Sequence, residues 1–221
     1  MLSKQHLEVG IRNKRKYIKD IAKLWLGKET MSKQAKTVNA VELRRILDYV
    51  ATRKHSLRNR ALVTTSMYSG MRVGEISSLR YCDVIDETGA VRNEIRLLAE
   101  NTKTKDARTV FVSDKLRKEL QQYANAYKPK DANVKFFYSQ KAESDGFSAN
   151  TLTQFFHYLY RRAGFNQCSS HSGRRTFATE IANKGVSIRV LQRLLGHKNI
   201  QTTAIYVDAN DDMLRKAVNL V

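Results

Sequence analysis

The sequence predicts an α+β chain that is mainly α, with a small antiparallel β-sheet. Three observations carry that expectation. Apolar residues recur at helical spacing over most of the chain. The spacing shortens to strand length only in the middle, at "YCDVID", "EIRLLA" and "RTVFVS". A single proline, Pro129, and ten glycines among 221 residues leave little material for long loops.

The elements follow in order. "IRNKRKYIKDIAKLWLG" spaces Ile18, Ile21, Ala22 and Trp25 as a helix stopped by Gly27. With the polar "KETMSKQAK" behind it, residues 1–36 read as a basic helical arm and linker, or as a helix packed on the core. The main domain, 37–221, opens at "NAVELRRILDYV", where Asn39 with Glu42 three residues on is a capping-box pair. A second helix runs from Ser56 to Ser69 and stops at Gly70, and a short one holds "RVGEISSLR". The three strand-like runs come next, separated by "ETGAVRN" and by the basic tip "ENTKTKDA". Helical spacing returns at "DKLRKELQQYANAY" and again over 149–163, 170–184, 187–194 and 199–209. The last segment, 210–221, places Met213, Leu214, Ala217 and Val218 on one stripe.

Lys and Arg total 40 against 21 Asp and Glu, a formal charge of +19 spread along the whole chain. Such a field attracts a polyanion, and duplex DNA is the natural partner, because Lys and Arg neutralising phosphates supply most non-specific affinity. No run of about 18 apolar residues and no signal-peptide pattern argues for a membrane, so the expected setting is cytoplasmic and nucleoid-associated. Cys82 and Cys168 stand alone, without a CxxC partner, and five scattered histidines make no ligand set. Neither a disulfide framework, a metal nor another cofactor is expected.

Several short motifs carry possible chemistry, each with a plainer reading beside it. In "HSGRRTFAT", His171 and Arg174 are helical neighbours that can grip a phosphate or simply decorate a basic surface. In "SGMRVGEISSLR", Arg72 follows a glycine turn with Glu75 one helical turn on, which reads as a phosphate-gripping arginine steered by a carboxylate or as an ordinary ion pair. Lys103 and Lys105 crown the basic tip, where they could reach DNA or stay solvated. In "LGHKNIQTTAIYV", His197 and Tyr206 lie nine residues apart; on one unbroken helix they would face opposite ways. Gly196 as a helix stop and Asn199 as the next N-cap supply a break that lets the two converge. The same helix, turn, helix pattern also fits a DNA-reading motif, with Tyr206 at the rim of the core.

Taken in order, these boxes resemble the tyrosine recombinases, the phage integrase family. "GMRVGEISSLR" is similar to its first arginine box, "HSGRRTFAT" to its HxxR box with Arg175 where a histidine is usual, and "LGHKNIQTTAIYV" to its LGH and tyrosine box. The match runs from about Lys36 to Val207. It implies a helical catalytic domain in which Tyr206 attacks a scissile DNA phosphate to give a 3′-phosphotyrosine and a free 5′-hydroxyl. Arg72, Arg174 and His197 would hold the non-bridging oxygens, and His171 would assist proton transfer or positioning. Lys103, favoured over Lys105, would protonate the leaving oxygen, while Glu75 would orient rather than react. The resemblance also implies self-association into a synaptic multimer on DNA, with 210–221 as a helix that docks on a neighbouring subunit or on its own core. Only about 36 residues precede the boxes, where most members carry a separate DNA-clamping domain. A minimal member, a fragment, or a protein relying on another recombinase is therefore expected. The alternatives are a non-catalytic DNA-binding accessory factor or a strand-passing enzyme of type IB topoisomerase kind.

Overall fold

Asn39 Oδ1 accepts the Glu42 N–H at 2.9 Å, and Glu42 Oε2 accepts the Asn39 N–H at 3.0 Å. This reciprocal cap starts helix α1 (Ala40–Ala51). In the computed structural model, residues 34–102, 106–139, 145–207, 214–215 and 218–219 are described. The chain divides into two compact units, Met1–Gln34 and Ala35–Val221. The helix read at Ile18 to Trp25, Lys103 and Lys105 at the hairpin tip, and Met213 and Ala217 of the last stripe lie outside the described residues.

Helix α2 (Ser56–Tyr68) forms the centre of the second unit. It is buried on nearly every side from Arg58 to Met67 and packs against α1, α5 (Asp114–Ala126) and α7 (Ser172–Asn183). Its sequence "ALVTTSMY" mixes apolar and hydroxyl residues for a reason. Thr64 and Thr65 return their hydroxyls to the carbonyls of Arg60 and Ala61 at 3.0 and 2.7 Å, so no polar atom is stranded. Small side chains then let α7 come close. A Cβ on Gly173 would meet the Ser66 backbone carbonyl at 2.7 Å, so only glycine fits there.

Helices α3 (Val73–Ser78) and α4 (Tyr81–Val84) lead into the strands β1 (Glu94–Leu97) and β2 (Arg108–Phe111). The strands pair antiparallel, with Ile95 opposite Val110 and Leu97 opposite Arg108. The third strand expected at "YCDVID" is instead the helical turn α4. Asp83 Oδ2 accepts the Arg80 N–H at 2.8 Å and caps that turn, and Ile85 pairs with Val91 only as an isolated bridge. Local capping outweighs the β-propensity of Val84 and Ile85.

Helix α6 (Ala149–Arg162) packs on α3, and α8 (Ile188–Leu195) packs on α7. The helix expected over 199–209 is shorter within the described residues: α9 covers Gln201–Ala204. Tyr206 and Val207 follow on tighter three-residue bonds to the carbonyls of Thr203 and Ala204, both at 3.0 Å. Asn199 still serves the start, its Oδ1 accepting the Gln201 N–H at 2.8 Å.

The apolar interior is split. One large cluster spans α1 to α6 and the sheet, while Ala178, Ala182, Leu191 and Leu195 form a second, small one with Phe177, Ile181, Tyr206 and Val207 against it. Leu214 and Val218 of the last stripe are exposed, and Cys82 and Cys168 are free. No helix among the described residues is long and apolar enough to cross a membrane.

The α2–α7 approach yields a test. Gly173→Ala forces the helices apart against backbone atoms and is expected to lower unfolding stability by about 1–3 kcal/mol, the usual cost of overpacking. Urea denaturation followed by circular dichroism measures it.

Candidate active site

The site is built on the end of α8. Gly196 sits at φ 62° and ψ 47°, the left-handed conformation that stops the helix. Its N–H donates to the Arg193 carbonyl and the His197 N–H donates to the Gln192 carbonyl, both at 3.1 Å. These two bonds leave the carbonyls of Leu194, Leu195 and Gly196 without helical donors.

Three arginines from three different elements supply the missing donors. Arg108 of β2 donates to the Leu194 carbonyl at 2.7 Å, Arg174 of α7 to the Leu195 carbonyl at 2.7 Å, and Arg72, ahead of α3, to the Gly196 carbonyl at 3.4 Å. The negative end of a helix dipole favours cations at this position. Arg174 also donates to the Gly70 carbonyl at 2.5 Å, which explains its burial to 5% exposure.

Glu75, 1% exposed, lies among these charges. It pairs with Arg72 at 3.0 Å and with Arg108 at 2.7 Å, and its Oε2 accepts the Arg72 backbone N–H at 2.7 Å. Burial alone pushes the carboxyl up, but the Arg108 hydrogen bond and charge, with the Arg72 amide and charge, hold it below the ordinary 4.5. For the Arg174 guanidinium, burial followed by the charge of Arg72 brings it down to about 9, still protonated at neutral pH.

His197 sits in the turn beyond Gly196. Arg174 Nη2 donates to its Nε2 at 2.9 Å, so Nε2 carries the lone pair. The proton is then on Nδ1, which donates to the buried Thr203 hydroxyl at 2.9 Å. Burial first, then the charges of Arg174, Arg72 and Arg108 against the weaker pull of Glu75, lower its pKa to about 4. The Tyr206 ring stacks over the imidazole, centroids 6.3 Å apart and planes 18° from parallel. Gln192 Nε2 braces the turn by donating to the carbonyls of His197 and Lys198 at 2.9 and 3.2 Å.

Of the residues read from the sequence, Arg72, Glu75, Arg174, His197 and Tyr206 come together. His171 does not bond to them. It is exposed at the start of α7, where its backbone N–H donates to Ser169 Oγ at 3.2 Å. Lys103 and Lys105 lie outside the described residues. Three contributors were not read from the sequence: Arg108, Thr203 and Gln192. Arg108 left a signal, because strand alternation puts it on the face of Val110 and Val112, both buried. A cation on a core face requires a buried partner. Thr203 and Gln192 left none, since their roles depend on where the turn folds back.

The chain has relatives among known proteins. The phage integrase family model matches residues 36–213. The chain is 27% identical over 183 residues to the tyrosine recombinase XerA of Pyrococcus furiosus, covering 83% of this chain and 60% of the relative. To the tyrosine recombinase XerC of Halalkalibacterium halodurans it is 31% identical over 166 residues, covering 72% and 52%. The crystal structure of XerA recombinase, 26% identical, superposes with a TM-score of 0.65 over 83% of this chain and 64% of that one. A Tn1549 transposon integrase in complex with transposon right end DNA, 17% identical, shares the fold at a TM-score of 0.68 over 86% and 67%. The chain thus spans between half and three fifths of the length of these curated relatives.

Two outcomes are expected of this cluster. Arg108→Met strips Glu75 of its shorter ion pair and frees the Leu194 carbonyl; stability should fall by about 3–5 kcal/mol in urea, as when one partner leaves a buried pair. The pH dependence has a defined sign. The unfolded chain protonates His197 near the ordinary 6.5 while the folded chain resists until about 4, so stability is full above 6.5 and declines as pH falls between those values. Glu75, held below 4.5, adds a second decline as it protonates at lower pH still. His197→Gln should remove the upper decline and leave the lower one, read from urea midpoints across pH.

Proposed function

The chain belongs to the phage integrase family, and from that premise we propose that it is a site-specific recombinase that cleaves and rejoins duplex DNA through a 3′-phosphotyrosine on Tyr206. The observation that carries the reading is the convergence of Arg72, Arg174 and His197 on one helix end, with Tyr206 stacked 6.3 Å from the imidazole.

The chemistry asks for such an arrangement. Tyr206 Oη attacks phosphorus in line and releases its phenolic proton to solvent water, the P–O3′ linkage to the upstream nucleotide is kept, and the P–O5′ bond breaks. One phosphoester replaces another, so rejoining is the same step reversed and needs no external energy source. Charge grows on the non-bridging oxygens in the transition state, and preorganised guanidiniums stabilise it without reorganising. Arg72 and Arg174 take that role here. In the resting site Arg174 spends an N–H on His197 and the imidazole is neutral. A bound phosphate adds negative charge beside three guanidiniums, so it raises the histidine pKa and lets Nε2 carry a proton to a non-bridging oxygen. On the family correspondence, the leaving 5′-oxygen takes its proton from Lys103, with Lys105 the neighbouring alternative. His171, at the start of α7, assists in proton transfer or positioning. Duplex DNA is the partner, consistent with the charge of +19, and exchange between two duplexes requires copies of the chain to assemble on DNA.

The test is direct. Wild-type protein incubated with genomic DNA of its source and then denatured is expected to remain covalently attached at discrete positions, and Tyr206→Phe is expected to leave none. Duplex binding without any adduct would sink the recombinase reading in favour of an accessory DNA-binding role. An adduct that survives Tyr206→Phe would assign the nucleophile elsewhere.

A further inference from the structure

Next to His197 an open recess of about 540 Å³ lies between the start of β2 and the outer face of α8. Four cationic side chains line it, Arg108, Arg189, Arg193 and Lys198, against one acid, Asp106. Two of the four are neutralised: Arg108 by Glu75 at 2.7 Å and Lys198 by Asp106 at 2.9 Å. Arg189 and Arg193 have no carboxylate partner among the described residues. Arg189 reaches only Gln192 Oε1, at 3.4 Å.

Arg189 is disfavoured where it stands unless something anionic arrives. Arg189 sits in the first turn of α8, where the helix dipole disfavours a cation, and that turn holds no acidic residue. Arg193 follows four residues later, one helical turn along the same exposed face. Leu191 and Leu195 point the other way and are fully buried, so the two guanidiniums cannot turn inward. The rest of the lining is small or polar, Ala107, Gln192 and Gly196 among it, with no large apolar side chain to anchor a protein partner. Gln192 lies between the two arginines and holds the His197 carbonyl at 2.9 Å, which makes the recess continuous with the candidate active site.

We propose that Arg189 and Arg193 clamp the backbone phosphates of DNA that flank the phosphate held at His197. This rests on the reading of the chain as a DNA strand-transfer enzyme, but it concerns binding and is measured apart from cleavage. Each arginine contributes through phosphate neutralisation, so the clamp adds affinity on any sequence and carries no base readout.

The experiment measures binding of the full chain to a short duplex of arbitrary sequence across a potassium chloride series. Replacing both residues, Arg189→Gln with Arg193→Gln, is expected to reduce the slope of log affinity against log salt by about 1.8, or about 0.9 for each phosphate no longer neutralised. Arg189→Lys with Arg193→Lys should restore it, since an ammonium neutralises a phosphate as well. A control pair on α5, Lys115→Gln with Lys118→Gln, removes the same charge and should leave the slope in place. Thermal unfolding checks that each variant is folded; if the glutamine pair is not, the two single variants read the same effect at half size. An unchanged slope in the folded glutamine variants overturns the clamp, and so does an equal loss from the α5 pair. The expected slope loss in the glutamine variants, with no covalent adduct from the wild type on genomic DNA, would overturn the strand-transfer reading alone and leave the clamp standing.

Discussion

Everything at the candidate active site depends on how one helix ends. The left-handed turn at Gly196 uses the carbonyls of Gln192 and Arg193 and leaves three more, at Leu194, Leu195 and Gly196, facing the interior. A buried carbonyl without a donor costs free energy comparable to a lost hydrogen bond, and water is replaced here by Arg108, Arg174 and Arg72. The helix end thereby gathers cations from β2, α7 and the start of α3 within reach of one another. His197 is the next residue along, so its position is set by the same turn.

Three guanidiniums in one place repel, and Glu75 makes the arrangement possible. Its carboxylate faces Arg72 and Arg108 at ion-pair distance, while Arg174, held by the carbonyls of Gly70 and Leu195, pairs with no acid directly. One negative charge against three positive ones leaves a net positive pocket. Burial first, and that excess after it, push His197 down to about 4, and the excess is also the property a phosphodiester would answer. Stability and anion affinity pull against each other at this point: a second carboxylate would quiet the repulsion and close the pocket to phosphate.

The framework behind the site explains its precision. Gly70 and Gly173 let α2 and α7 approach until backbone meets side chain, with Phe177 and Leu195 against the first and Ser66 against the second. Tyr206 is mounted differently. It packs with Val207 against the small cluster of Ala178, Ala182, Leu191 and Leu195, apart from the large core. A residue held by a minor cluster through a short helix opens at lower cost than one anchored in the main core. Arg72 and Arg108 rest on elements of the large cluster, whereas Tyr206 shares the small cluster with α8 and the far end of α7.

The sequence alone determined most of the helical elements, because periodicity and capping are local: Asn39 with Glu42, and Gly196 after α8, are legible in a few residues. Three ordered boxes also singled out Arg72, Glu75, Arg174, His197 and Tyr206, which the fold brings together. Local pattern misread "YCDVID", where a side-chain cap at Asp83 prevails over β-propensity, and it overextended the helix carrying Tyr206. Only the tertiary structure decided that Arg108 and Thr203 join the cluster, that His171 stays exposed outside it, and which nitrogen of His197 bears the proton. The reason is range. Caps and periods act over one turn of chain, whereas a carbonyl at Leu194 finds its donor 86 residues away, and no local pattern encodes that meeting.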